Sequence, residues 1–210
     1  MLRGWSHAVA VVPAVAGAVV LAVGHGYNTT ERAALTLYGI ALVALFSVSA
    51  LYHCGHWTPR LRAVWRRIDH ANIFLVIAAT YTAVGVTLLD GAARAGILIA
   101  VWTAAVAGMV VVIAPWNVPR AVTVTLYLAT GWMAVVVIPA LAQRVGATEL
   151  ALLLGGGALY SLGAVGYAVQ RPRLWPRVFG YHEVFHLLVI AATALFYAFV
   201  VLTAAPATRL

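Results

Sequence analysis

The chain has 210 residues, of which 64% are hydrophobic and 9% charged, and its net charge is +8. A soluble domain carries about 45–50% apolar and about 25% charged residues, so this chain cannot surround a single core with a polar surface. The same balance excludes disorder. All thirteen basic residues are arginine. Next to apolar segments they act as topology signals and anchors for anionic lipid, and no motif for nucleic-acid binding accompanies them.

Seven apolar runs follow one another: Ala8–Gly24, Ala33–His53, His70–Leu89, Arg94–Ala114, Ala121–Leu141, Glu149–Gln170 and His182–Ala204. A span needs about 20 residues, so the chain is expected to be an all-α, seven-transmembrane helix bundle. No long linker or repeat interrupts it, and residues 1–210 are expected to form a single domain. The first run resembles a signal peptide in having Arg3 before it, but it continues to Gly24 and is expected to be a retained span. Pro13 and Pro139 fall inside runs, where neighbouring helices can satisfy the freed carbonyls. Gly155, Gly156, Gly157, Gly163 and Gly166 suit close helix approach in the sixth run. Asn28-Thr29-Thr30 matches a short glycosylation sequon. Cys54 is the single cysteine, which excludes an intrachain disulfide and a cysteine-based zinc cage.

The arginines divide unevenly between the two faces of such a bundle. Arg3, Arg60, Arg62, Arg66, Arg67, Arg120, Arg171, Arg173 and Arg177 fall on one side; Arg32, Arg94, Arg144 and Arg209 fall on the other. The arginine-rich side is cytoplasmic by the positive-inside rule. The expected topology is therefore N-terminus cytoplasmic and C-terminus external, in a multi-pass protein of the plasma (inner) membrane. Trp57, Trp65, Trp116 and Trp175 sit at the same ends, as an interfacial belt does.

Acidic residues are few. Glu31, Asp90 and Glu149 mark external ends of runs and read as helix-start or loop carboxylates. Asp69 and Glu183 differ, because both neighbour histidines at cytoplasmic ends. His182 and His186 are one helical turn apart on one face, and two such imidazoles can chelate one metal. Their segment, His182-Glu183-Val184-Phe185-His186, matches the HExxH pattern of soluble zinc peptidases. Ser49 and His53 share a face at the end of the second run. Asp69 is expected to open the third at the same level, where a helix-capping role is also open to it. His53, His182, His186 and Asp69 thus converge on one membrane face as a three-imidazole zinc site with a carboxylate beside it. His7, His25, His56 and His70 are weaker candidates. Replacing His7, His25 or His56 is expected to leave metal content unchanged.

The segments SALYH, RRIDH and GYHEVFH, in this order along the spans, resemble the progestin and adipoQ receptor family, whose bacterial branch is the hemolysin III family. The resemblance covers nearly the whole chain. It implies a cytoplasmic-side zinc on His53, His182 and His186, with Asp69 and Ser49 beside the attacking water. It also implies ceramidase-like activity on lipid amides or esters, in membrane-lipid homeostasis. It favours Asp69 over Glu183 as the base. The sequence shows no counterpart of the long N-terminal extension of the animal receptors, and hormone reception is not expected to carry over. Two other readings compete with the hydrolase: a non-enzymatic homeostasis sensor with structural zinc, and a channel or pore-forming cytolysin. Against the latter, the runs carry no repeated polar stripe to line a water path. The expected partners are membrane lipids, with a lipid substrate, and no nucleic acid.

Overall fold

A computed structural model describes residues 4–175 and 179–204. Arg3, Arg177 and Arg209, which enter the arginine count, lie outside the described residues. The architecture is helical: α1 (Trp5–Val23), α2 (Thr29–Cys54), α3 (Pro59–Leu88), α4 (Gly91–Ile113), α5 (Arg120–Gly131), a 3-10 segment (Trp132–Val136), α6 (Ile138–Ala142), α7 (Ala147–Val169) and α8 (Tyr181–Ala204). Six of these helices are long and apolar enough to cross a membrane: α1, α2, α3, α4, α7 and α8. Their outward faces are apolar, with Val9, Val12, Ile99 and Leu162 all exposed. In water such a surface would be a liability. In a bilayer it is the face turned to the acyl chains.

The fifth apolar run departs from the expected single span. It divides into α5, the 3-10 segment and α6. Pro139 lacks the N–H that would continue an α-helical ladder. The backbone around the break is held from outside: the Tyr81 hydroxyl donates to the Gly131 carbonyl at 2.6 Å. Trp132 Nε1 donates to Ser161 Oγ at 2.9 Å. Neighbouring helices thus meet the polar groups of the broken region, as irregular backbone inside a membrane protein requires.

Helix starts are chemically specified. Asn28 caps α2 through a reciprocal box: its Oδ1 accepts from Glu31 N at 2.9 Å, and Glu31 Oε2 accepts from Asn28 N at 3.0 Å. The Asn28 side chain is therefore engaged in the fold. Thr58 caps α3, with Pro59 at its first position. Thus α3 begins eleven residues earlier than the apolar run, and Asp69 lies inside the helix, not at its cap. With 30 residues, α3 is about 45 Å long, against a hydrocarbon core of about 30 Å. The surplus is the arginine-rich first third, Pro59 to Ile68, which places Asp69 and His70 near the boundary.

Sequential helices pack as neighbours: α1 on α2, α2 on α3, α3 on α4, α4 on α5, α5 on α7 and α7 on α8. α8 returns to contact α1 and also touches α3, so the order closes on itself around α3. Van der Waals fit between small residues holds such bundles, since lipid is as apolar as the interior. At Gly39 a β-carbon would stand 2.8 Å from Ala18 of α1. At Gly108 it would run into the Phe74 ring, which is fully buried. In α7, Gly156 faces Phe196 and Gly163 faces Phe185 and Leu188 of α8, whereas a β-carbon on Gly157 would meet nothing within 4 Å.

Candidate metal centre and its cavity

The C-terminal end of α2 and the first turns of α8 bring three imidazoles together. His53 Nε2 and His182 Nε2 are 3.3 Å apart. One ligand nitrogen from each of His53, His182 and His186 lies within 4.8 Å of the other two. Two nitrogens bound at about 2.0–2.1 Å to a tetrahedral zinc stand roughly 3.3–3.4 Å from each other, so the closest pair already has that spacing. The ring planes are steeply inclined, at 79° for His53–His182, 65° for His53–His186 and 64° for His182–His186. Edge-on convergence of nitrogens fits ligands grouped round one point; a stacked apolar packing would align the faces. An all-nitrogen set suits zinc and other imidazole-binding ions. The residues present fit a metal.

Ser49 is buried on α2, one turn before His53. Its side chain lies against the Asp69 carboxylate from α3. Asp69 Oδ2 is 3.8 Å from His70 Nδ1. That nitrogen is 2.7 Å from the Arg66 carbonyl, so it carries the proton and donates. Ser49, Asp69, His182 and His186 all line one cavity of about 200 Å³. Along α3 the lining runs from Asp69 through Ile73, Ile77 and Val84 to Leu89. Twenty residues of helix measure about 30 Å, roughly the hydrocarbon thickness. The cavity is therefore a mainly apolar slot whose carboxylate and imidazoles are gathered at one end.

Glu183 is placed differently from Asp69. It is buried, and its Oε2 accepts from Gly180 N at 2.9 Å. This carboxylate engages the start of α8. Helix-start capping, open to Asp69 in the sequence, is the contact Glu183 makes.

His7, a weaker ligand candidate by sequence, stays outside the imidazole triad but packs directly against it. It is buried on α1, and its ring stacks on His186 with centroids 3.9 Å apart and planes 12° from parallel. Phe46 closes its other side edge-on at 5.2 Å. Neither His7 ring nitrogen has a hydrogen-bond partner among the described residues, and His7 also lines the cavity. The contact joins α1 to α8, more than 170 residues apart, and helical periodicity cannot see it. Its position at the start of the first run, at the same end of the bundle as His53 and His182, was the available signal. His56 and Cys54 are exposed beside the cluster's helix end.

Known proteins resemble the chain over most of its length. Residues 1–197 match the family model described as "Haemolysin-III related". The chain is 30% identical to Hemolysin-3 of Bacillus cereus over 188 residues, covering 89% of this chain and 81% of that protein. It is 27% identical to the Hemolysin-3 homolog of Bacillus subtilis over 185 residues, covering 87% and 82%. It is also 29% identical to the human monocyte to macrophage differentiation factor over 200 residues, covering 92% and 79%. The chain belongs to the haemolysin III-related family of membrane proteins, the bacterial branch of the progestin and adipoQ receptor family.

Proposed function

We propose that this protein is a zinc-dependent hydrolase of lipid amides or esters, acting at the cytoplasmic face of the plasma membrane in lipid homeostasis. The observation that carries this reading is the placement of three convergent imidazoles, Ser49 and Asp69 at one end of a slot about as long as the hydrocarbon core is thick. The broken fifth run counts as a span in this reading, giving seven crossings with the N-terminus inside. Reporter fusions after Arg67 and after Arg177 are expected to read cytoplasmic.

His53, His182 and His186 would hold the ion. When bound, zinc would polarise a substrate carbonyl and acidify a water towards a pKa of about 7. The chain's own residues do the rest. The apolar wall along α3 takes the acyl chain and brings its carbonyl to the polar end. Asp69, from a different helix than the His182–His186 pair, accepts a proton from the attacking water and returns it to the leaving amine or alkoxide. Ser49 holds the Asp69 carboxylate in place. Glu183, committed to Gly180 N, fixes the start of α8 and with it both of that helix's histidines.

The test pairs metal analysis with turnover of defined lipid amides and esters by the purified protein in bilayer discs. The expected result is about one zinc per chain and turnover that stops in Asp69→Asn. Full zinc occupancy with no turnover of any lipid amide or ester would remove the hydrolase and leave a structural zinc in a sensor.

A further inference from the structure

A second cavity, of about 250 Å³, lies at the same end of the bundle and is lined by Arg66, Arg67 and Arg120 together with His70, Trp116 and Tyr167. Arg66 and Arg67 come from the projecting start of α3, and Arg120 opens α5. Among the described residues none of the three guanidiniums forms an ion pair. Arg120 is held instead by rings and a neutral amide. Its Cζ stands 4.9 Å from the Tyr167 ring centroid and 5.8 Å from that of Tyr181, and the Gln170 amide lies beside it, its oxygen able to accept from the guanidinium once the amide is turned over. Arg66 and Arg120 both act electrostatically on His70, which shares the cavity wall with them. Three permanently charged groups from two helices therefore face one concavity whose lining has no carboxylate.

We infer that the Arg66–Arg67–Arg120 cavity binds a phosphate group, carried by an anionic phospholipid headgroup or by a soluble phosphate. Guanidinium forks pair bidentately with phosphate oxygens. Three forks from different directions need more acceptor oxygens than the two a carboxylate offers. The depth also fits a headgroup: Trp116 is exposed at the rim, the setting of an interfacial tryptophan, and α3 has risen out of the hydrocarbon by this point. Simple charge attraction to an anionic surface would require no such concavity, and Arg60 and Arg62, on the same projecting turns, do not line it. His70 and Tyr167 line both this cavity and the apolar slot. A bound phospholipid could thus place its phosphate here and an acyl chain in the slot. That pairing rests on the lipid-hydrolase reading; phosphate binding does not.

The experiment uses the full chain purified in a mild detergent. Native mass spectrometry would follow retention of phosphatidylglycerol, of zwitterionic phosphatidylcholine and of inorganic phosphate in separate titrations. Wild-type protein is expected to retain one phosphatidylglycerol in preference to phosphatidylcholine, or one inorganic phosphate if the source is soluble. Arg120→Gln and the Arg66→Gln/Arg67→Gln pair are expected to weaken that binding at least tenfold, and Arg60→Gln/Arg62→Gln, which removes equal charge from the same turns, less than twofold. Circular dichroism and size exclusion report folding, and Arg66→Gln, the most exposed of the three, is read if Arg120→Gln fails to fold. Equal weakening by the Arg60/Arg62 variant, or no binding of either anion by wild type, would overturn the site. Asp69→Asn protein should bind as wild type, so loss of the hydrolase reading would leave this result standing.

Discussion

Two ends of the bundle hold charged groups, and they are built on opposite plans. At the end where α3 finishes, Asp90 meets Arg94 Nη2 at 3.0 Å and Arg144 Nη1 at 2.9 Å. The same arginines close the chain's own backbone: Arg94 Nε donates to the Leu89 carbonyl at 2.6 Å, and Arg144 donates to the Leu88 carbonyl. Asp90, Arg94 and Arg144 there each have an answering group in the protein, and the Asp90 side chain is 74% exposed. That is a clasp tying α3, α4 and the turn after α6. At the other end, three imidazole nitrogens converge, a carboxylate sits over an apolar slot, and three guanidiniums share a cavity with no carboxylate in its wall. Charges that satisfy one another hold a fold together. Groups of one kind gathered at one point are arranged for something the chain does not itself supply.

The sharpest way to break this contrast is at the imidazoles. His53→Ala, His182→Ala and His186→Ala are each expected to lose most of the zinc, read by elemental analysis, because each removes one of three protein donors. His25→Ala and His56→Ala should retain it. Next comes the carboxylate. Asp69→Asn should keep zinc while lowering lipid turnover by about 10²–10⁴-fold, the usual contribution of a general base. Glu183→Gln should cost less, acting through the start of α8. Turnover that survives Asp69→Asn and vanishes in Glu183→Gln would reverse those roles.

A smaller effect is expected at His7. The sequence alone argues that its loss leaves zinc unchanged. Its stack on His186 argues instead that His7→Ala weakens zinc binding severalfold by freeing the ligand ring, and that His7→Phe, which keeps a flat partner, largely restores it. Zinc titration of the two variants separates these outcomes. The smallest effect belongs to the clasp. Asp90→Asn should lower thermal stability by about 1 kcal/mol or less, as exposed ion pairs do, and leave zinc and turnover as they were.

The contrast also explains what could be read in advance. Long apolar runs reveal spans because lipid imposes one length and one polarity on them, and α1, α2, α4, α7 and α8 begin and end within a few residues of their runs. The arginine count then sorted helix ends without reference to histidine, which is how residues as distant as His53 and His182 could be expected together. Two features escaped, for different physical reasons. The early start of α3 is amphipathic and basic, so hydropathy hides it, although Thr58-Pro59 is a helix-start signal. The break in the fifth run depends on partners from other helices, Tyr81 and Ser161, and no local pattern encodes those. His7 belongs with them, being a contact between the first and last helices. The arginine cavity was legible only as charge; its concavity comes from packing α3 against α5.

The most direct test of the central claim measures zinc and lipid turnover on the same preparations of wild type, His182→Ala and Asp69→Asn. The account expects about one zinc per chain with turnover in wild type, neither in His182→Ala, and zinc without turnover in Asp69→Asn. Zinc retained in full by His182→Ala, or turnover undiminished in Asp69→Asn, would contradict it.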